Sequence, residues 1–292
     1  MCRIIFLKVS PNPDENQMKL YADDFQEKHK WDCDAINRPL RLELPDSESE
    51  MNTFGQSNTC QMAMSVGLGT INGLIKRDIM SDQKDSLALG NRYHFRRSPD
   101  APTGALLSQN QAVYMLGRLL EAGIYYKKND KFHGDYCPNN ITYDYNGEIR
   151  VLDTRLFTTK SSGYVKMLDD NQYRTSLSPE LLKCYSIQRS IHPIIDLERS
   201  DVFSIAISIV SAAHGENFDQ YYDYSSCKIN FDKLYKRMYA LINDSNGYEE
   251  EFGELIVQML NELPNKRPTF EEALEKLNSF GLNQGKLVIE KY

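Results

Sequence analysis

Residues 133–140 read His133-Gly134-Asp135-Tyr136-Cys137-Pro138-Asn139-Asn140, and a second acid, Asp153, follows behind the apolar pair Val151-Leu152. A lone Asp-Pro-Asn cluster is ordinarily a turn, because Asn and Asp side chains bond their own backbone and Pro presets one dihedral. That reading covers the stretch taken by itself. It leaves unexplained the offset of Asn140 from Asp135, and the strand-like Ile149-Arg150-Val151-Leu152 that runs straight into Asp153. Two carboxylates and an amide so spaced match the needs of phosphoryl transfer. One group accepts or orients the proton of the nucleophile, and others give oxygen ligands to the metal that neutralises the phosphates. Asp135 suits the first task; Asn140 and Asp153 suit the second.

Three further stretches lie downstream: Ser178-Pro179-Glu180, Asp201-Val202-Phe203-Ser204 and Arg267-Pro268. Together with residues 133–153 they resemble the eukaryotic protein kinase family, whose catalytic loop runs His-Arg-Asp, four residues, then Asn, followed by a metal-binding Asp-Phe-Gly. The resemblance implies an α+β, protein kinase-like bilobal fold with a reduced N-terminal β lobe and a mainly helical C-terminal lobe. Residues 1–66 would be a partial N-lobe from its third strand to the hinge. Residues 67–282 would be the C-lobe, with an insertion near 77–109, and residues 283–292 a C-terminal tail.

The same resemblance implies roles. Asp135 is the catalytic aspartate that accepts or orients the nucleophile's proton, Asn140 and Asp153 hold the metal, and His133 is a spine residue rather than a base. Asp201 begins the central buried helix, and Glu180 and Arg267 form a buried ion pair that clamps the large lobe. In the small lobe Lys8 takes the place of the phosphate-gripping lysine. Glu27 is the helix acid, with Glu15 as its rival, and Trp31 and Leu42 take spine positions. Met64 guards the adenine pocket, Ser65 and Val66 lead from it to the hinge, and Thr142 is the floor. The implied cofactors are ATP and Mg2+.

Local patterns agree with this order of elements. Ile4-Ile5-Phe6-Leu7-Lys8-Val9 has the look of a buried strand, and Met18, Tyr21, Ala22 and Phe25 share one helical face. Leu40, Leu42 and Leu44 alternate with charges as a strand does, and residues 61–66 form another apolar strand candidate before the turn Gly67-Leu68-Gly69. Residues 46–57 are a polar loop. Helical spacing returns at Ala112, Met115, Leu116, Leu119 and Leu120. The apolar run from Phe203 to Ala213, interrupted by serines, is a buried helix too short to span a bilayer. Thr269 and Glu272 make a capping box, and Gly281 can end the helix they open.

Several departures point to weakened catalysis. Only seven residues precede Lys8, which leaves no room for the first two strands and the glycine-rich loop over the ATP phosphates. Phe6 stands where the family keeps a small adenine roof, and Thr142 where it keeps a large aliphatic floor. Cys137 replaces the loop lysine that contacts the transferred phosphate, so transition-state charge loses a cation. Thr154-Arg155 replaces Phe-Gly. Gly134 replaces the arginine that docks a phosphorylated activation segment, although Thr158, Thr159, Ser161 and Ser162 remain available. The expectation is a pseudokinase or a very slow kinase, of serine/threonine type by default, acting through a protein partner or substrate. The alternatives are an active Ser/Thr kinase with missing N-terminal sequence, a small-molecule kinase of the aminoglycoside or choline type, and a structural subunit of a larger assembly.

Composition bounds the rest. With 292 residues and 41% hydrophobic content the chain can bury a full core. A net charge of −7 argues against nucleic acid or an anionic membrane surface as partner. There is no secretory leader pattern at the start, so the expected location is intracellular and cytoplasmic. Six scattered cysteines show no metal or disulfide spacing.

Overall fold

The computed structural model describes residues 5–11, 15–43, 59–65, 68–81, 93–152, 176–187, 195–244 and 247–291. The loop expected at 46–57, the hinge pair Val66-Gly67, Asp153 with Thr154-Arg155, and the hydroxyls of Thr158, Thr159, Ser161 and Ser162 lie outside the described residues.

The apolar start becomes β1 (Ile5–Pro11). It is followed by α1 (Glu15–Lys28), which carries an acid in its first turn and a cation in its last, as the helix dipole favours. Next come β2 (Ile36–Asn37), β3 (Pro39–Glu43) and β4 (Thr59–Ser65). β1, β4 and β3 pair antiparallel in that order, with Lys8 opposite Met62, Phe6 opposite Met64 and Ile5 opposite Ser65. α1 packs against β3, and His29 just past its end meets the Pro39 carbonyl at 3.1 Å.

β2 does not join that sheet. It lies parallel to β8 (Ile149–Leu152) in a four-stranded sheet of order β2-β8-β7-β5, where β5 is Gly69–Thr70 and β7 is Ile141–Tyr143. The turn between β7 and β8 is built by Asp144, whose carboxylate accepts from the amides of Asn146 and Glu148 and binds Arg150 at 3.0 Å. Gly147 in that turn has φ +74, and a Cβ there would fall 2.0 Å from the Leu287 carbonyl oxygen. Residues opposite one another on paired strands share a face. Ile36, Ile141, Tyr143, Ile149 and Val151 therefore point one way and all belong to the main core. Asn37, Thr142, Arg150 and Leu152 point the other way, and Leu152, though buried, stands outside that core.

Helices supply the remaining bulk, so the chain is α+β. After α2 (Ile71–Ser81) and β6 (Tyr93–Phe95) comes α3 (Gln109–Lys128), buried over most of its surface. Then follow α4 (Pro179–Ile187) and α5 (Leu197–His214), in which every residue from Ser200 to His214 is buried. A helix apolar all round belongs inside a core. Its serines satisfy passing backbone: Ser204 donates to the Ser176 carbonyl at 2.6 Å, Ser208 to that of Tyr136 and Ser211 to that of Glu216. The hairpin β9 (Tyr222–Asp223) and β10 (Lys228–Ile229), α6 (Phe231–Ile242), α7 (Glu250–Met259), α8 (Phe270–Ser279) and β11 (Ile289–Lys291) complete the chain. Among the described residues no helix is long and apolar enough to cross a membrane.

Two further stretches are tied into the fold by contacts distant in sequence. The expected insertion at 77–109 begins inside α2 and ends in the core: Ala105, Leu106 and Leu107 are buried, and the Leu106 amide donates to the Ala213 carbonyl at 2.7 Å. The expected tail, described over 283–291, is a strap. Its Gly285 amide bonds the Asn110 carbonyl, Leu287 is buried, and β11 pairs antiparallel with β6. The pairing that draws both stretches in is non-local.

Candidate functional site

The loop 133–140 is held from three sides. From below, the Asp201 carboxylate on α5 accepts the amides of His133 at 2.9 Å and Gly134 at 3.0 Å, and Ser208 one helical face further on holds the Tyr136 carbonyl. From the sheet, the His133 Nε2–H donates to the Leu152 carbonyl at 3.1 Å, while its Nδ1 accepts the Asp135 amide at 3.1 Å. That pairing fixes the tautomer and leaves the ring, packed between Tyr126 and Tyr136, with no nitrogen for proton transfer. From α2, the Asn72 amide bonds the Pro138 carbonyl and its side chain bonds Asn139 at 2.6 Å.

Gly134 sits at φ +73, a backbone region open to glycine and strained for a side chain. Here both Asp201 oxygens draw its amide inward, at 3.0 and 3.2 Å.

Asp135 follows, 5% exposed, and Asn140 closes the loop with its Nδ2 donating to the Asp135 carbonyl at 3.0 Å. With the nitrogen so used, Oδ1 is the Asn140 atom that can ligate a hard cation. The Asn140 carbonyl in turn accepts the Leu152 amide at 2.7 Å, so β8 delivers the chain to the position before Asp153 right beside Asn140. Among the described residues no group of three His, Cys, Asp or Glu side chains could hold a metal. Oxygen donors from one amide and one acid, completed by phosphates and water, are the donor set Mg2+ takes at such sites.

Cys137 is wholly buried. Burial, then the Asp135 carboxylate beside it and a hydrogen bond to that carboxylate, push its thiol well above the ordinary value. A neutral S–H group therefore faces Asp135 at this position.

The remaining named residues fall as follows. Glu180 and Arg267 meet in a bidentate pair, Nη1 to Oε1 at 2.7 Å and Nη2 to Oε2 at 3.0 Å. Arg267 also donates to the carbonyls of Asn261, Arg199 and Glu262 and lies over the Phe203 ring, so all five N–H groups are used. Glu27 turns to the surface, 47% exposed on its side chain, and bonds Lys131. The inward face of α1 carries Tyr21, Asp24 and Lys28 instead, with Lys28 buried and bonded to Asp24 at 2.8 Å. This corrects the choice of Glu27 as the inward acid. The signal available was the helical spacing of Tyr21, Asp24 and Lys28. Trp31 stacks edge-on against Tyr125 and Tyr126 and under Lys131, tying the end of α1 to α3. Thr142 is buried, with its hydroxyl accepting from Asn37 Nδ2 at 2.7 Å and donating to the Arg150 carbonyl at 3.1 Å. Lys8, Met64 and Ser65 are placed by backbone register alone.

No protein-family model matches the chain. It is 28% identical over 188 residues to a probable serine/threonine-protein kinase of Dictyostelium discoideum, covering 63% of this chain and 14% of that protein. It is 26% identical over 176 residues to the human dual specificity mitogen-activated protein kinase kinase 7, covering 55% of this chain and 38% of that protein, and equally to the rat protein. The chain resembles a protein kinase domain. This kinase-like chain spans well under half the length of these relatives.

Proposed function

We propose that this chain is a bilobal protein kinase-like domain that keeps a site for ATP and Mg2+, has little or no phosphotransferase activity, and acts through protein partners inside the cell. The smaller lobe is the β1-β4-β3 sheet with α1, and the loop 133–140 forms the floor of the cleft. The reading rests on one observation: the loop is fully braced by Asp201, His133, Ser208 and Asn72, yet the group presented beside Asp135 is the buried neutral thiol of Cys137. Bound Mg2+ would neutralise phosphate charge, with Asn140 and Asp153 holding it. Asp135 would orient a hydroxyl proton. The charge that develops on the transferred group would find no cation at residue 137, and such a loss costs rate rather than binding. Any residual activity is of the serine/threonine or dual specificity type carried by the relatives.

The test is melting temperature with and without Mg2+ and ATP, together with phosphate transfer to a generic protein substrate. Mg2+–ATP should raise the melting temperature of the native protein, Asn140→Ala should remove that rise, and transfer should stay near background. Robust transfer that Asp153→Ala abolishes would refute the inactive reading. Absence of any nucleotide-dependent rise would refute the ATP site itself.

A further inference from the structure

The half of the loop that ends in Asn140 is a tight turn gripped from α2. The Asn140 amide donates to the Cys137 carbonyl at 2.8 Å, so Pro138 and Asn139 are the two corners and Asn140 is the exit residue. Asn72 holds both corners. Its amide donates to the Pro138 carbonyl at 3.0 Å, and its Nδ2 donates to Asn139 Oδ1 at 2.6 Å.

Helix geometry puts Asn72 in that place. Amides in the first turn of a helix have no partner within the helix. At the start of α2 the Thr70 hydroxyl takes the Gly73 amide at 3.1 Å, and the Asn72 amide is spent on the loop. Thr70 is itself fixed by pairing opposite Thr142, two residues past Asn140. The chain thus closes a circuit, from Asn140 along β7 to Thr142, across to Thr70, into α2, and back through Asn72 to Asn139. On the inner side the turn is tied by Asn140 Nδ2 to the Asp135 carbonyl and by the Leu152 amide to the Asn140 carbonyl. With both sides held, the place of Asn140 Oδ1 is set. A small hard cation demands near-ideal placing of its oxygen ligands, so groups that orient a ligand without touching the metal still govern its affinity.

We propose that Asn72 is a positioning residue of the Mg2+ site: by fixing both corners of the turn 137–140 it sets where Asn140 Oδ1 stands, and with it the share of nucleotide affinity that the metal contributes. The inference rests on the ATP and Mg2+ reading above, and the experiment separates the two.

ATP affinity is measured by titration of the unmodified protein in Mg2+ and again in EDTA, and the ratio of the two is the contribution of the metal. Asn72→Ala and Asn139→Ala should each shrink that ratio by about three- to tenfold, the value of one neutral hydrogen bond, and leave the affinity in EDTA unchanged. The double variant should lose no more than either single one, since both residues act through one bond. With Mn2+ in place of Mg2+, the electron paramagnetic resonance spectrum of the protein-bound Mn2+–ATP complex should change in each variant, as a displaced ligand requires. Asn139 is exposed, so its variant keeps the test open where Asn72→Ala fails to fold. An unchanged ratio in folded variants overturns the role of Asn72 while leaving the Mg2+ site standing, and so do losses that add in the double variant. An equal fall in Mg2+ and in EDTA overturns it too, because it marks a general loss of structure. No gain on adding Mg2+ to the unmodified protein removes the metal site and this inference together.

Discussion

Arg267 illustrates how much can rest on a single side chain. Its five donors meet one carboxylate and three carbonyls while its side chain is buried beneath Phe203. Arg267→Met would strand the Glu180 charge and three carbonyls, and should cost on the order of 3–5 kcal/mol, seen as a lower urea midpoint. Arg267→Lys keeps the charge but not the fork, and should recover only a fraction of that loss. His214 gives a pH-dependent counterpart. Burial, with Arg237 nearby, holds its pKa down to about 4, and its Nε2–H donates to the Arg237 carbonyl at 3.0 Å. The unfolded chain takes up this proton near pH 6.5 while the native fold refuses it until about 4. Stability is therefore full above pH 6.5 and falls as pH drops towards 4, by about 3 kcal/mol at most. His214→Gln should flatten that slope in urea midpoints taken from pH 4 to 7. Glu180, Arg267 and Asp201 were legible because each sits in a short motif of fixed residue type. The Asp24–Lys28 pair was carried by helical spacing with Tyr21 but by no motif, and Asn37 was not legible, because which amide ends a two-residue strand depends on packing that no local pattern encodes.

At the level of elements, the crossing of α3 and α8 turns on one small residue. A Cβ at Gly123 would lie 2.6 Å from the Phe270 ring, so the helices approach as closely as they do only because the position is bare. Gly123→Ala should destabilise by about 1–3 kcal/mol through overpacking, despite its better helix propensity. Pairing it with Phe270→Leu should recover part of the loss, and a double-mutant cycle of denaturation midpoints measures the coupling. The long helices were readable in advance: α3 from its spaced Leu and Met, α5 from an apolar run with serines, and α8 from its Thr269–Glu272 capping box. The short strands β2 and β5 were not, since two residues carry no periodicity. Those two strands complete the sheet that bears Thr142 and Asn37, which is why the second face of that sheet emerged only from coordinates.

Across the whole molecule, the strap at 283–291 ties distant parts together. Lys286 bonds Glu148, which also takes the Tyr114 hydroxyl; the Leu287 amide reaches the Gly147 carbonyl; and the Arg96 amide bonds Val288. The turn that leads into strand β8 is thereby braced. Deleting residues 283–292 should cost about 2 kcal/mol for the lost burial of Leu287 alone. It should also speed amide exchange at 141–143 and 149–152, measured by hydrogen–deuterium exchange, with α5 unchanged. The strap has a consequence for biogenesis as well. β6 leaves the ribosome about two hundred residues ahead of β11, so its backbone must stay solvated, or be shielded by a chaperone, for many seconds of translation. A nascent chain stalled anywhere in that interval carries an unzipped edge at residues 93–95.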